Sequence, residues 1–254
     1  MARPEIGCVL TGVALLAAAP ATAVPGLLGL DVPEVVLTRT LRTAKTSADS
    51  AASPVRHCTV YRAFAILWTA DTDIGAKDLV FLARAHGEPP QSLCASGFKG
   101  RTVRLDAESD VPVGAVGPYL VAEWPDSFGV AQGFSVYDLD RGKRAFKGSR
   151  HLGKPPLFRR SGRDLVIDYW SVLENMVCVP RDGEPGCWER LKKANGIPAS
   201  AKTAPPDCEH VFAKDASAAK EPRALQIAVH VRMARFSRRD AEYPADAAAC
   251  DLAP

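Results

Sequence analysis

The chain has 254 residues, 47% of them hydrophobic and 24% charged, with 32 basic side chains against 29 acidic ones. Those proportions exclude wholesale disorder, and a formal net charge of +3 is too small to mark a nucleic-acid binder. Beyond the N-terminus, no stretch is apolar for long enough to cross a bilayer as a helix.

The first segment carries Arg3, then an apolar run from Ile6 to Ala19 that is shorter than the ~20 residues a spanning helix needs. Ala21-Thr22-Ala23 follows, offering small residues to a signal peptidase. The pattern predicts a signal peptide over residues 1–23, although Glu5 offsets the charge of Arg3. Cleavage after Ala23 would leave 254 − 23 = 231 residues of an exported protein, periplasmic or extracellular. Cys8 precedes most of the apolar run, whereas a lipidated cysteine would follow it, so no lipid anchor is expected. Residues 24–55 contain one apolar patch, Val35 to Leu37, and then a stretch dominated by Thr, Ala and Ser. So little apolar surface cannot offset the entropy of ordering, and the composition predicts a flexible leader before a single domain over 56–254.

Within that domain, short apolar runs alternate with turn formers. Val60 to Thr69 and Leu79 to Ala85 flank Asp71-Thr72-Asp73-Ile74-Gly75, a hairpin signal. Val103 to Leu105, Tyr119 to Trp124, Phe134 to Leu139 and Leu165 to Val172 are divided by Gly, Pro, Asp and Ser clusters. Phe134 to Phe146 reads as a strand, an Asp/Gly turn and a returning strand, like the outer hairpin of a propeller blade. It occurs once, so it supports a hairpin and not a propeller. Leu225 to Ala234 alternates apolar and other residues with a period of two, predicting a strand with one buried face. Trp188 to Asn195 fits a short helix, with Glu189 and Lys193 at i,i+4 and a stop at Gly196. A second helix could follow within Ala213 to Pro222. The fold class expected is mainly β, an antiparallel sandwich or barrel of short strands with one or two short helices.

Seven cysteines less Cys8 leave six, an even set suited to disulfides outside the reducing cytoplasm. Cys178 and Cys187 bracket a run of Pro, Asp and Gly that turns the chain back on itself, which favours their pairing. Chain order then gives Cys58 with Cys94 and Cys208 with Cys250. Zinc is disfavoured because no CxxC exists and only Cys208 and His210 lie at ligand spacing. Asp71 and Asp73 before Gly75, and Asp138 and Asp140 before Gly142, lack the remaining ligands of a calcium loop and read as turns.

No G-x-S-x-G, P-loop, H-E-x-x-H or G-x-G-x-x-G motif occurs, so neither a metal nor a cofactor is expected. The weak catalytic candidates are carboxylates: Glu123 and Asp126 around Trp124, and Asp168 beside Tyr169-Trp170. Paired acids near an aromatic wall would suit a carbohydrate-acting hydrolase. Against this, Trp124 also reads as core, Asp126 as a turn residue, and Asp168 as facing solvent. Basic residues concentrate from Arg141 to Arg163, with Arg159, Arg160 and Arg163 among them, and again at Arg232, Arg235, Arg238 and Arg239 around Phe236. They read as solvated faces, or as contacts for an anionic polymer or lipid headgroups. The expectation is an exported, non-catalytic binding or structural protein, with an envelope polymer or a protein as partner. The alternatives are the extracellular hydrolase and an inhibitor presenting the Val179 to Gly186 loop.

Overall fold

Short apolar runs joined by Gly- and Asp-rich turns fold as antiparallel meanders, because each tight turn places the next strand beside the last. The computed structural model describes residues 27–40, 55–71, 75–94, 102–105, 110–128, 131–178, 186–214, 225–236, 238–245 and 248–252. Strands β1 (Val35–Thr40), β2 (Val55–Val60), β3 (Phe64–Asp71), β4 (Gly75–Ala83) and β5 (Thr102–Arg104) form a five-stranded sheet in chain order. A second, nine-stranded sheet runs β6 (Val111–Val116), β7 (Tyr119–Phe128), β8 (Ala131–Asp138), β9 (Lys143–His151), β11 (Asp164–Val172), β12 (Leu225–Met233) and β13 (Ala241–Glu242). β10 (Leu157–Ser161) adds to β11, and β14 (Ala248–Leu252) to β12. The fold is mainly β and antiparallel, with three short helices: α1 (Pro90–Leu93), α2 (Cys187–Ala194) and α3 (Glu209–Lys214).

The sheets share a core. Tyr61, Phe64, Ile66 and Phe81 of the first pack with Leu120, Tyr137 and Leu139 of the second. Among the described residues both sheets are open, an arrangement of packed antiparallel sheets. Beneath the nine-stranded sheet, α2 and α3 cover Ile227 and Val229 of β12. Trp188 and Leu191 supply the apolar side of α2, as their one-turn spacing predicts. The ion pair on α2 differs from the expected one: Glu189 pairs with Lys192, which is buried, and not with Lys193.

The cysteines lie at disulfide distance in the three expected pairs, Cys178–Cys187 from its turn-rich loop and the other two from chain order. Cα–Cα separations are 5.8 Å for Cys58–Cys94, 5.9 Å for Cys178–Cys187 and 5.3 Å for Cys208–Cys250. The first holds α1 against the five-stranded sheet, and the third ties the entry to α3 to β14.

Three elements depart from the sequence reading. The apolar run from Val60 to Thr69 is interrupted by a reversal at residues 61–63, so Val60 ends β2 and Phe64 to Thr69 belong to the paired β3. Val111–Val116 forms a strand although the Gly114 to Pro118 cluster reads as a divider; a bulge between Pro112 and Gly114 and a place at the sheet edge accommodate both residues. Residues 27–40, assigned by composition to the flexible leader, instead carry β1 and an anchored approach to it. Leu28 N–H donates to the Pro156 carbonyl at 3.0 Å, and Phe158 N–H to the Leu28 carbonyl at 2.9 Å. Asp31 then receives the Gly117 N–H at 2.6 Å, and Glu34 pairs with Arg84 at 2.5 Å. Backbone hydrogen bonds, the Asp31 and Glu34 carboxylates and the buried Leu27 together order the segment, through partners that composition does not report. The predicted signal peptide and residues 41–54 lie outside the described residues.

Candidate functional site

β7 turns Glu123 toward β9, where the buried Arg150 donates to Glu123 Oε1 from Nε at 2.8 Å and from Nη2 at 2.5 Å. Arg150 is 4% exposed, and its Nη1 has no hydrogen-bond partner among the described residues. A guanidinium so placed depends on its carboxylate, because burying an unpaired charge costs several kcal/mol. Glu123 is therefore a structural counter-ion. Asp126 lies in β7, and its side chain is outside the described residues.

Trp124, next along β7, lies flat on Gly133: a Cβ built there would fall 2.1 Å from its ring carbons. Lys147 Nζ sits 4.3 Å from the indole ring centroid. With Gly133 and Lys147 against it, the indole packs as a wall and not as an open sugar platform. Its Nε1–H is buried and finds no hydrogen-bond partner among the described residues.

Asp168 points to the face of β11 opposite Tyr169, as strand alternation requires. The expected solvent-facing carboxylate is instead 24% exposed and paired twice. Its Oδ1 is hydrogen-bonded to His230 Nε2, and Arg159 Nη2 donates to Oδ2 at 3.3 Å. His230 stacks on Trp170 with centroids 5.4 Å apart, and Lys154 Nζ lies 3.5 Å from the Trp170 ring centroid. Burial holds the Lys154 ammonium below its ordinary pKa, with Asp251 opposing that shift. A second His–Asp contact, His151 Nε2 to Asp251 at 2.8 Å, flanks Lys154. There the Gly153 N–H donates to Nδ1 at 3.1 Å, so the imidazole donates to the carboxylate and both ring nitrogens are engaged. Among the described residues, the hydrogen-bond partner of the His230 ring is Asp168.

A cavity of about 490 Å³ opens on the other side of β11. Trp124, Phe146, Tyr169 and Tyr243 supply aromatic wall, and Ser149 and Ser171 supply hydroxyls. At its margin, Asn195 fastens α2 to the end of β11: its Oδ1 accepts from the Glu174 and Asn175 N–H groups at 3.0 and 3.1 Å. Glu174 is the one carboxylate in the lining among the described residues.

Sequence reasoning thus found the wall but not the groups around it. Trp124 lines the cavity; Glu123 and Asp168 do not, and they share no partner. Of the metal readings, Cys208 is bonded to Cys250, and Asp138 accepts the Arg141 N–H at 3.0 Å as a turn residue. No group of three or more His, Cys, Asp or Glu side chains that could hold a metal occurs among the described residues. Residues 72–74, part of the other Asp/Gly turn, and 179–185 of the inhibitor-like loop lie outside the described residues. No known family matches the chain, and no curated protein or solved structure resembles it significantly.

Proposed function

We propose that this is an exported, non-catalytic binding protein of the periplasm or extracellular space, whose ligand enters the cavity beneath β11. The observation that carries the reading is a separation. The cavity has the size and mixed lining of small-molecule sites, whereas Glu123 and Asp168 are engaged outside it, Glu123 by Arg150 and Asp168 by His230 and Arg159. A two-carboxylate hydrolase needs a second acid opposite Glu174 across the substrate, and the described lining holds Lys147 as its other charged group. The three cysteine pairs support an oxidising compartment.

Peptide mass mapping of the exported protein, with and without reduction, tests the compartment. Val24 at the N-terminus and three bridges are expected; a retained Met1 with free thiols would overturn it. Native mass spectrometry tests the cavity. A co-purifying small molecule should be lost in Ser171→Phe, which fills the site. Hydrolysis of a glycan by the wild type but not by Glu174→Gln would overturn the non-catalytic reading.

A further inference from the structure

Strand register decides what a molecule in the cavity would touch. Paired residues share a face of an antiparallel sheet, so Tyr169 opposite Val231 and Ser171 opposite Val229 stand together, with Met233 next on the same face of β12. All five line the cavity. Tyr169, Val229, Val231 and Met233 are at most 5% exposed, so the floor is a buried apolar surface. The Tyr169 hydroxyl is engaged within that floor, donating to Met233 Sδ at 3.6 Å. The Ser171 hydroxyl makes no hydrogen bond among the described residues, and Ser149 on β9 adds a second such hydroxyl to the lining.

The other polar groups of the lining are committed or stand at the mouth. Asn195 uses its whole side chain on the main chain: Oδ1 accepts from Glu174 and Asn175, and Nδ2 donates to the carbonyls of Asn175 and Leu191 at 3.1 and 3.0 Å. The buried Trp124 Nε1–H is out of reach of a molecule in the cavity. Lys147 and Glu174, the charged residues of the lining among the described residues, are both exposed, and Lys147 Nζ rests 4.3 Å from the Trp124 ring centroid. An ion lying on the floor would therefore have no counter-charge beside it, and a buried unpaired charge is strongly disfavoured. Sugars and peptides present more hydrogen-bonding groups than two hydroxyls can meet, and each group left unmet carries its full desolvation cost. Aromatic surface is what the lining does supply. The Phe146 and Tyr169 rings stand edge to face, with centroids 6.1 Å apart and planes at 72°, and so present fixed faces and edges to another ring.

We propose that the cavity takes a small, uncharged ring compound, apolar over most of its surface, with one polar edge turned to Ser171. The proposal rests on the reading of the cavity as a ligand site and adds the chemical class of the ligand. A flexible acyl chain would bury apolar surface too, but it would lose more conformational freedom on entering and make no ring contacts with these walls.

The test compares two fluorescent probes that differ by a single charge, 1-anilinonaphthalene and 1-anilinonaphthalene-8-sulfonate, titrated into the full chain with its disulfides intact. The neutral probe, whose N–H supplies the polar edge, should bind about tenfold more tightly or better. Ser171→Phe, which fills the site, should weaken it about tenfold or more, and Ser171→Ala, which removes only the hydroxyl, about fivefold. Unchanged circular dichroism shows that both variants fold. Neutral-probe binding that survives Ser171→Phe would overturn the site, and an unchanged affinity in Ser171→Ala would overturn the polar edge. Equal or tighter binding of the sulfonate, lost in Ser171→Phe, would overturn the uncharged class, and displacement of the neutral probe by laurate at equal concentration would replace the ring by an acyl chain. If neither probe binds while native mass spectrometry still finds a molecule that Ser171→Phe loses, the ligand class is overturned and the cavity remains a binding site; if that molecule is absent as well, both are overturned.

Discussion

Replacing Glu123 by Leu removes both hydrogen bonds recorded for the Arg150 side chain while leaving that guanidinium 4% exposed. Its Nη1 has no hydrogen-bond partner among the described residues, so nothing recorded nearby can take over. Breaking a buried pair from one side costs ~3–5 kcal/mol. The Glu123 side chain, at 16% exposure, lets in some water, which places the expectation near the lower figure. In a chain of this length such a loss lowers Tm by ~6–12 °C. Urea denaturation with the disulfides intact reads the free energy directly. The double variant Glu123→Leu, Arg150→Met removes both charges and should recover most of the loss, because the dominant cost is the orphaned cation. A single variant within about 1 kcal/mol of wild type, or a double variant showing the sum of two independent losses, would refute the counter-ion role and return Glu123 to the catalytic candidates.

Gly133→Ala places a methyl group 2.1 Å from the Trp124 ring, so the indole must move; a shifted tryptophan emission spectrum together with lost stability is expected. If the spectrum is unchanged, Trp124 does not lie on Gly133. The Cys58–Cys94 bridge spans 36 residues and Cys178–Cys187 spans 9, so replacing the first pair by serine should cost about 1 kcal/mol more than replacing the second, as loop-closure entropy requires. Equal costs would point to strain or to structure in the unfolded chain. Burial, and then the charge of Asp31, push the Tyr61 phenol from 10.0 up to about 12. Burial and the 2.8 Å hydrogen bond to Asp110 push Tyr137 up as well. Both folded values lie above the unfolded one, so their stabilisation is complete below pH 10.0 and lost as pH rises through the folded values. Tyrosinate absorbance should therefore show late phenols, Tyr61 and Tyr137 among them, that appear together with unfolding; all 5 tyrosines titrating near pH 10.0 in the folded protein would contradict this.

What was legible in the sequence is what depends on near neighbours. The hairpin of β8 and β9 is written in Asp138 to Gly142, and its register, Asp138 opposite Lys143, follows from that turn. Cys178 and Cys187 close a loop whose own residues bend it. Partners of the polar groups were not legible, because they come from distant strands: Asp168 meets His230 across 62 residues and Glu123 meets Arg150 across 27. A polar residue inside an apolar strand signals that a partner is needed but not which one supplies it. His230, at an alternate position in the most regular strand of the chain, was the available hint for Asp168. The buried Arg150 looked like one more basic residue in a basic stretch. The approach to β1 was missed for a related reason: its partners, Ala115 and Phe158 through the main chain and Gly117 through the Asp31 carboxylate, lie far along the chain, and composition does not name them.

That approach also bears on the order in which the molecule can be finished. Among the described residues, β1 to β5 pair with one another and with no strand of the second sheet, so the five-stranded sheet can assemble from its own stretch of chain. Residues 28–31, made first, must wait for Ala115 and Gly117, the latter 86 residues further on than Asp31, and then for Phe158. They act as a clasp fastened late, joining a sheet already formed to one still being completed. Cutting the chain between Asp31 and Val35 should therefore loosen the seam between the two sheets before it melts either one.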